Sequence, residues 1–139
     1  MDSDEVVRQC DKAEEKRWRP PSVELVKINF DGVVFANENK YGIGMVIRND
    51  EGLVLASCAE KIPVAYNGCE IETMAATAAL SFTSDIDIKR AILKGDSLAV
   101  IKALREDASS LSPFGLLIDD VKSLANSFDE LSYSHTKRR

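Results

Sequence analysis

The feature that most constrains the fold of this sequence is a change of hydrophobic period along the chain. Val26, Ile28 and Phe30 alternate with polar residues, as in a strand with one buried face, and residues 41–48 and 53–60 also have strand character. From residue 67 the apolar residues recur at helical spacing instead. Three strands followed by helical segments predict a protein that mixes α and β structure in one domain.

The later segments predict how the elements are connected. Short polar loops join the first three strands, which predicts that these strands are antiparallel. A buried strand at 90–95 and a last strand at 130–136 are each reached through helices, the third of which begins at Ser112 and Pro113. We therefore expect both later strands to run parallel beside the first strand. The predicted fold is an open mixed α/β sheet with the order β-β-β-α-β-α-α-β.

Composition limits the classes of function that this chain can serve. The formal net charge of −5 argues against binding nucleic acid through a strong basic field. It leaves room for a nucleic-acid enzyme, because acids that bind a metal add negative charge of their own. The sequence has no apolar run of about 20 residues, so no membrane span is expected. Three cysteines without a CxxC pair predict reduced thiols and an intracellular protein, cytoplasmic or nuclear.

The first 17 residues differ in character from the rest of the chain. They are dense in charges of both signs and predict a frayed helix or a solvated tail. The segment WRPP at 18–21 ends that stretch, because the residue before a proline avoids helical geometry. We expect residues 1–17 to be a tail or linker and residues 18–139 to form the domain.

Asp31 occupies an unusual place, within an apolar strand-like run. An Asp-Gly pair is common in hairpin turns, so Asp31 and Gly32 are open to that interpretation. The strand-like character continues through residues 33–35, however, which weakens it. An ionised carboxylate in a strand is costly to bury without a partner. The alternative is that Asp31 is one ligand of a site built from distant segments.

Asp96 is the second candidate, at the carboxyl end of the strand 90–95. Open α/β sheets place ligands at the carboxyl ends of their strands, so Asp31 and Asp96 on neighbouring strands could share a divalent cation. The competing interpretation is that Asp96 begins the next helix as an N-cap or first-turn acid. Both interpretations stay open for Asp96 taken alone.

A third acid is expected from the helix between these two strands. Glu70 and Glu72 are two residues apart and so point to opposite flanks of that helix, and the pattern alone does not choose between them. Glu70 lies three residues after Asn67, the spacing of a capping box that would occupy its side chain. That assignment favours Glu72 for the site.

The ordered motifs of the chain resemble those of the type 1 ribonuclease H domain. The segments are INFDGVV, GIGMVIRNDEG, CEIETMAA, LKGDSLAVIKAL and YSHTKR, and they cover residues 18–139 in the order that the family has. The segment W-x-P-P before the first strand is similar to the plant, retrotransposon-related branch of that family. The resemblance implies an RNase H-like fold with a five-stranded mixed sheet.

The resemblance also implies an activity and a site. The family cleaves the RNA strand of RNA–DNA hybrids by hydrolysis with two Mg²⁺ ions, or Mn²⁺ in their place. Its catalytic, metal-binding acids fall on Asp31, Glu72 and Asp96. Four further residues beside them are candidates for contact with nucleic acid, as neighbours of the acids or as the counterpart of a histidine that helps product leave: Asn29, Gly32, Ser97 and His135. For His135, an ordinary strand histidine is an equal alternative.

The sequence departs from the family at its end. The family has a fourth acid on a helix after the last strand, within a motif resembling N-x-x-A-D, and the 139 residues contain no counterpart. One alternative to a ribonuclease follows from this departure, a catalytically weakened RNase H-fold module that binds nucleic acid. A second alternative, from another class of function, is a protein-interaction domain without enzymatic activity, whose sheet edge or acidic tail recruits partners.

Overall fold

The computed structural model describes residues 7–12, 25–35, 40–62, 68–106 and 111–137. Six strands of this part of the chain form one sheet, and three helices accompany it. The elements in chain order are β1 (Val7–Lys12), β2 (Val26–Phe35), β3 (Lys40–Arg48), β4 (Val54–Ile62), α1 (Gly68–Asp85), β5 (Arg90–Gly95), α2 (Leu98–Arg105), α3 (Pro113–Ala125) and β6 (Glu130–His135). The strand order across the sheet is β1-β4-β3-β2-β5-β6.

Five of these strands form the predicted mixed sheet. β2 pairs antiparallel with β3, and β3 pairs antiparallel with β4. β5 pairs parallel with β2, and β6 pairs parallel with β5, so both crossovers lie where the helices predicted them. The fold class is therefore confirmed, with β2 in the interior of the sheet and Asp31 within it rather than in a hairpin turn.

The sixth strand, β1, differs from the sequence prediction. The charged segment was expected to be a frayed helix or solvated tail, but Val7–Lys12 pairs antiparallel with β4. Its sequence, VRQCDK, has no apolar alternation, so the period-2 pattern gives no signal for it. Without β1, the N–H and C=O groups along the edge of β4 would be unpaired. Such an edge accepts another segment of chain as a strand, which explains why residues 7–12 form β1.

The cysteines also differ from expectation. Cys58 on β4 is disulfide-bonded, whereas the spacing of the three cysteines predicted reduced thiols. In the antiparallel ladder, Cys58 stands directly opposite Cys10 of β1. The sequence pattern could not predict that positions 10 and 58 lie opposite each other, because it did not predict the strand β1. Cys69, at the start of α1, is a free and exposed thiol.

The turn between β3 and β4 follows the sequence closely. Oδ1 of Asn49 accepts hydrogen bonds from the backbone N–H groups of Glu51 and Leu53, both at 2.9 Å. Gly52 has a φ of +86°, a conformation that side chains other than glycine rarely adopt. The NDEG hairpin is therefore confirmed, whereas the predicted turn at 36–39 lies outside the described residues.

The hydrophobic core lies between the sheet and α1, which packs against β2 and β3, with α3 packed on α1. The fully buried side chains Ile28, Ile47, Ile71 and Leu80 belong to it. Each such aliphatic side chain contributes about 1.5–3 kcal/mol when it leaves water. This packing fixes α1 against the strand that carries Asp31. No helix in the described ranges is long and apolar enough to cross a membrane.

Candidate active site

Three carboxylates from separate segments of the chain converge at one point. Asp31 lies on β2, Glu72 lies on α1, and Asp96 follows β5 directly. One carboxylate oxygen from each of the three lies within 4.8 Å of the others. Glu70 is outside this group, so the structure brings together the three acids that the sequence analysis favoured.

The register of the parallel strands explains why Asp31 meets Asp96. The pairing of β2 with β5 ends where Asn29 stands opposite Lys94. Asp31 and Asp96 each lie two residues further along, so they come level with each other where the two strands stop pairing. Asp96 is not the N-cap of α2, because Ser97 holds that position and its Oγ accepts a hydrogen bond from the N–H of Val100 at 3.4 Å.

Glu72 completes the group from the helix side. Its side chain is only 8% exposed, and its Oε1 accepts a hydrogen bond from the Gly32 N–H at 3.0 Å. Its other oxygen, Oε2, is buried and accepts no hydrogen bond from an N–H or O–H group of the described residues. A buried carboxylate oxygen without a partner is costly unless a cation or a proton stabilises it.

The pKa of Glu72 records this environment. Burial is the largest cause that raises this pKa; a hydrogen bond shared with Asp31 and the negative charges of Asp31 and Asp96 act in the same direction, and the Gly32 N–H opposes them, so that the pKa rises from 4.5 to about 8. At neutral pH and without a cation, the carboxyl of Glu72 therefore holds a proton. A divalent cation between the three acids would displace that proton.

The donor set fits a hard divalent cation. Carboxylate oxygens are the ligands that Mg²⁺ prefers, and three of them are within reach of one another here. Oε2 of Glu72 is a buried oxygen that no N–H or O–H group of the described residues reaches and that a cation would satisfy. The residues present therefore fit a site for Mg²⁺ or Mn²⁺.

A groove of about 570 Å³ opens beside Asp31 and Asp96. Its polar lining includes Asn29 of β2 and Lys94 of β5, together with Thr136 and Lys137, which follow β6. The sequence pattern predicts Asn29 as a contact residue but neither Lys94 nor Thr136. The parallel register could have identified Lys94, because it stands directly opposite Asn29 on the neighbouring strand.

The strand β6 holds the backbone around Asp96. The N–H of Thr136 donates to the carbonyl of Gly95 at 2.8 Å, and Nε2 of His135 donates to the carbonyl of Asp96 at 3.2 Å. The exposed His135 ring therefore lies at the site, in contact with the backbone of an acid.

The other candidate residues lie near the site in different ways. Gly32 offers its N–H to Glu72, and Ser97 uses its hydroxyl to cap α2. The predicted capping box of Glu70 begins at Asn67, which is outside the described residues. Of the four candidates for nucleic-acid contact, Asn29 is the one that lines the groove.

Comparison with known proteins shows which family and which solved structures this chain resembles. The model of the reverse transcriptase-like family matches residues 29–139, a range that contains all three acids. No curated protein sequence matches the chain. RNase H1 from the halophilic archaeon Halobacterium salinarum NRC-1 is similar in structure, with a TM-score of 0.74 and 26% identity over 82% of this chain and 86% of that chain.

Two further solved structures share the fold. The N-terminal RNase H domain of a Mycobacterium tuberculosis protein matches with a TM-score of 0.72 and 24% identity over 83% of this chain and 84% of that chain. LC11-RNase H1, in complex with an RNA/DNA hybrid, matches with a TM-score of 0.66 and 20% identity over 81% of this chain and 86% of that chain. With the family match over residues 29–139, these likenesses show that the chain belongs to the reverse transcriptase-like family and carries an RNase H-like domain.

Proposed function

We propose that this chain is a metal-dependent endoribonuclease that cleaves the RNA strand of RNA–DNA hybrids by phosphodiester hydrolysis. The observation that carries the proposal is the convergence of Asp31, Glu72 and Asp96 within 4.8 Å. Like charges at this distance repel each other, so the arrangement is unfavourable unless a cation or a proton is shared. The RNase H-like fold supports the same conclusion, and one protein of that fold was solved with an RNA/DNA hybrid.

The three acids would hold the metal, and the groove would hold the substrate. Two bound Mg²⁺ ions would stabilise the charge that develops on the attacking and leaving oxygens of the phosphodiester. Asp31 lies on an interior strand. The pairing of β2 with β3 includes Asp31, and the pairing of β2 with β5 extends as far as Asn29. Glu72 would give up its proton as the metal binds.

Other residues of the groove suit the chemistry of a hybrid. Lys94 and Lys137 would neutralise phosphates of the backbone. The Asn29 side chain, beside Asp31, offers both a donor and an acceptor to a ribose 2′-hydroxyl, the group that distinguishes RNA from DNA. We also propose that the chain belongs to the plant, retrotransposon-related branch, because its WRPP segment at 18–21 is similar to the segment before the first strand in that branch.

A second candidate function is a module that binds hybrids without cleaving them. The observation that favours it is the groove beside the acids, because Lys94 and Lys137 in its lining could hold a hybrid whether or not the acids cleave it. A protein-interaction domain is the third candidate. The three differ in what they do to a hybrid in the presence of Mg²⁺.

A substrate panel separates these functions. The parent protein and its Asp31→Asn variant are incubated with Mg²⁺ or Mn²⁺ and an RNA–DNA hybrid, an RNA duplex or a DNA duplex, with each strand labelled separately. Asp120→Asn is the matched control, because Asp120 is an exposed acid on α3 outside the cluster. We expect cleavage of the RNA strand of the hybrid by the parent and the control only. Binding of the hybrid without cleavage would support the module, and neither binding nor cleavage would support the interaction domain.

A further inference from the structure

Two glycines adjoin the acids in sequence. Gly32 follows Asp31 within β2, and Gly95 precedes Asp96 at the end of β5. Glycine weakens a strand and often marks a place where another part of the structure approaches closely. At both positions the neighbour that approaches is an apolar side chain next to one of the acids.

Gly32 lies against Ile71 of α1. A Cβ atom on Gly32 would overlap Cγ2 of Ile71 and lie 3.3 Å from both its Cβ and its backbone carbonyl carbon. Ile71 is 2% exposed and therefore has little space into which it could move. The residue after Ile71 is Glu72, whose Oε1 accepts the hydrogen bond from Gly32. The missing side chain of Gly32 thus allows α1 to come close enough for Glu72 to reach Asp31.

Gly95 lies against the ring of Phe30. A Cβ atom on Gly95 would overlap Cζ of Phe30 and lie 2.8 Å from Cε1 and 3.0 Å from Cε2. Phe30 is 4% exposed, so its ring is confined by the core. Phe30 precedes Asp31 in β2, and Gly95 precedes Asp96 at the end of β5. The contact of Gly95 with Phe30 therefore lies next to both Asp31 and Asp96.

We propose that Gly32 and Gly95 are positioning residues that set the separations within the acid cluster. Gly32 sets the distance of Glu72 from Asp31, and Gly95 sets the distance of Asp96 from Asp31. This inference rests on the proposed metal site. Mg²⁺ demands ligands close to about 2.1 Å in nearly octahedral geometry, so a shift of either segment by a fraction of an ångström would separate the ligands.

The test measures the affinity for Mn²⁺ alone, by electron paramagnetic resonance and without nucleic acid. The variants are Gly32→Ala and Gly95→Ala. Gly44→Ala is the matched control on β3, because the nearest atom to its added Cβ would be the Cys58 carbonyl oxygen at 3.8 Å, an ordinary contact. We expect the first two variants to lose affinity on the order of tenfold or more, the scale of changes in residues that support metal ligands, and the control to bind as the parent does.

A second substitution distinguishes positioning from a general loss of stability. Phe30→Leu removes the three ring atoms that a Cβ on Gly95 would meet, and it also removes core volume. We expect Gly95→Ala/Phe30→Leu to recover the parent's Mn²⁺ affinity while its melting temperature stays below that of the parent. Gly32→Ala/Ile71→Ala should recover only in part, because the contacts at 3.3 Å remain.

The outcomes separate this inference from the proposed function. Glycine variants that bind Mn²⁺ as the parent does, or a folded Gly95→Ala/Phe30→Leu variant that still binds weakly, would overturn the inference alone. If Gly95→Ala does not fold, recovery in the double variant still supports it. If the parent binds no Mn²⁺, the proposed function fails. Crystal structures of the metal-free parent and of Gly95→Ala then decide whether Gly95 positions Asp96. A wider separation of Asp31 from Asp96 in the variant supports positioning, and an unchanged separation refutes it.

Discussion

Asp31 and Asp96 stand level with each other on neighbouring parallel strands, because Asn29 and Lys94, two residues before each acid, are the last in-register pair of β2 and β5. The backbone therefore fixes their approach without help from a ligand. Glu72 is then added from a helix that packs on the same strand. The result is a preformed group of acids whose repulsion a divalent cation would relieve.

The first prediction concerns stabilisation by Mg²⁺. A ligand that binds only the folded state raises the free energy of unfolding, by about 2.7 kcal/mol at 100 times its dissociation constant. We expect Mg²⁺ to raise the melting temperature of the parent and of Asp120→Asn, and to have no such effect on Asp31→Asn. Differential scanning calorimetry with and without EDTA makes the comparison.

In EDTA the order should change. Asp31→Asn removes a negative charge from the cluster, so we expect it to be more stable than the parent when no cation is present. An equal response of the parent and Asp31→Asn to Mg²⁺ would show that the cation acts elsewhere on the protein.

The second prediction concerns the pH dependence of stability without metal. The pKa of Glu72 is about 8 in the folded protein and 4.5 as the reference value for the unfolded chain, so the folded state holds one more proton between these values. Stability from this group is fully present below pH 4.5 and is lost as pH rises through about 8. The slope attributable to Glu72 has an upper limit of about 1.4 kcal/mol per pH unit.

Urea unfolding at several pH values between 5 and about 8, in EDTA, measures that slope. Glu72→Gln keeps the shape of the side chain and cannot ionise, so its stability should fall less steeply with pH. Glu70→Gln, on the same helix and outside the cluster, is the control and should keep the parent's slope. Identical slopes for the parent and Glu72→Gln would contradict the assignment.

The third prediction concerns the groove. Lys94→Ala removes a positive charge beside Asp31, so we expect weaker binding of an RNA–DNA hybrid and a salt dependence reduced by about one unit of slope. The measurement is fluorescence anisotropy across a range of salt, in an Asp96→Asn background that prevents cleavage. Lys61→Ala, an exposed lysine on β4 that is not part of the groove lining, is the control. Equal slopes for Lys94→Ala and Lys61→Ala would place the hybrid elsewhere.

The fourth prediction concerns β1. A chain that begins at Trp18 lacks this strand and leaves the edge of β4 unpaired. An open strand edge accepts other strands, so we expect the shortened protein to self-associate in reducing buffer, as measured by analytical ultracentrifugation. Its Mn²⁺ affinity should equal that of the parent, because three strands separate β1 from β5. A monomeric shortened protein would show that β1 does not protect the edge.

The sequence predicted the elements whose hydrophobic period is strong. β2 and α3 are examples. For α3 the sequence also marks the start of the helix at Ser112 and Pro113, and the structure confirms Ser112 as the N-cap. It did not predict β1, whose strand state depends on the neighbouring edge of β4 rather than on its own residues. Local pattern carries no information about such a partner.

The site divides in the same way. Asp31 could be singled out because a carboxylate interrupts an apolar strand, and Glu72 because Glu70 had another expected role. The groove residues Lys94 and Thr136 carry no such signal, since each is an ordinary residue until the parallel register places it beside an acid. The close contacts of Gly32 with Ile71 and of Gly95 with Phe30 likewise exist only in three dimensions.

The most direct test of the central claim is cleavage of a hybrid with a labelled RNA strand, by the parent and by Asp96→Asn, in Mg²⁺ and in EDTA. A metal site built on Asp31, Glu72 and Asp96 predicts cleavage by the parent in Mg²⁺ only, and none by Asp96→Asn in either condition. Equal cleavage by folded Asp96→Asn, or an absence of cleavage by the folded parent in both Mg²⁺ and Mn²⁺, would contradict it.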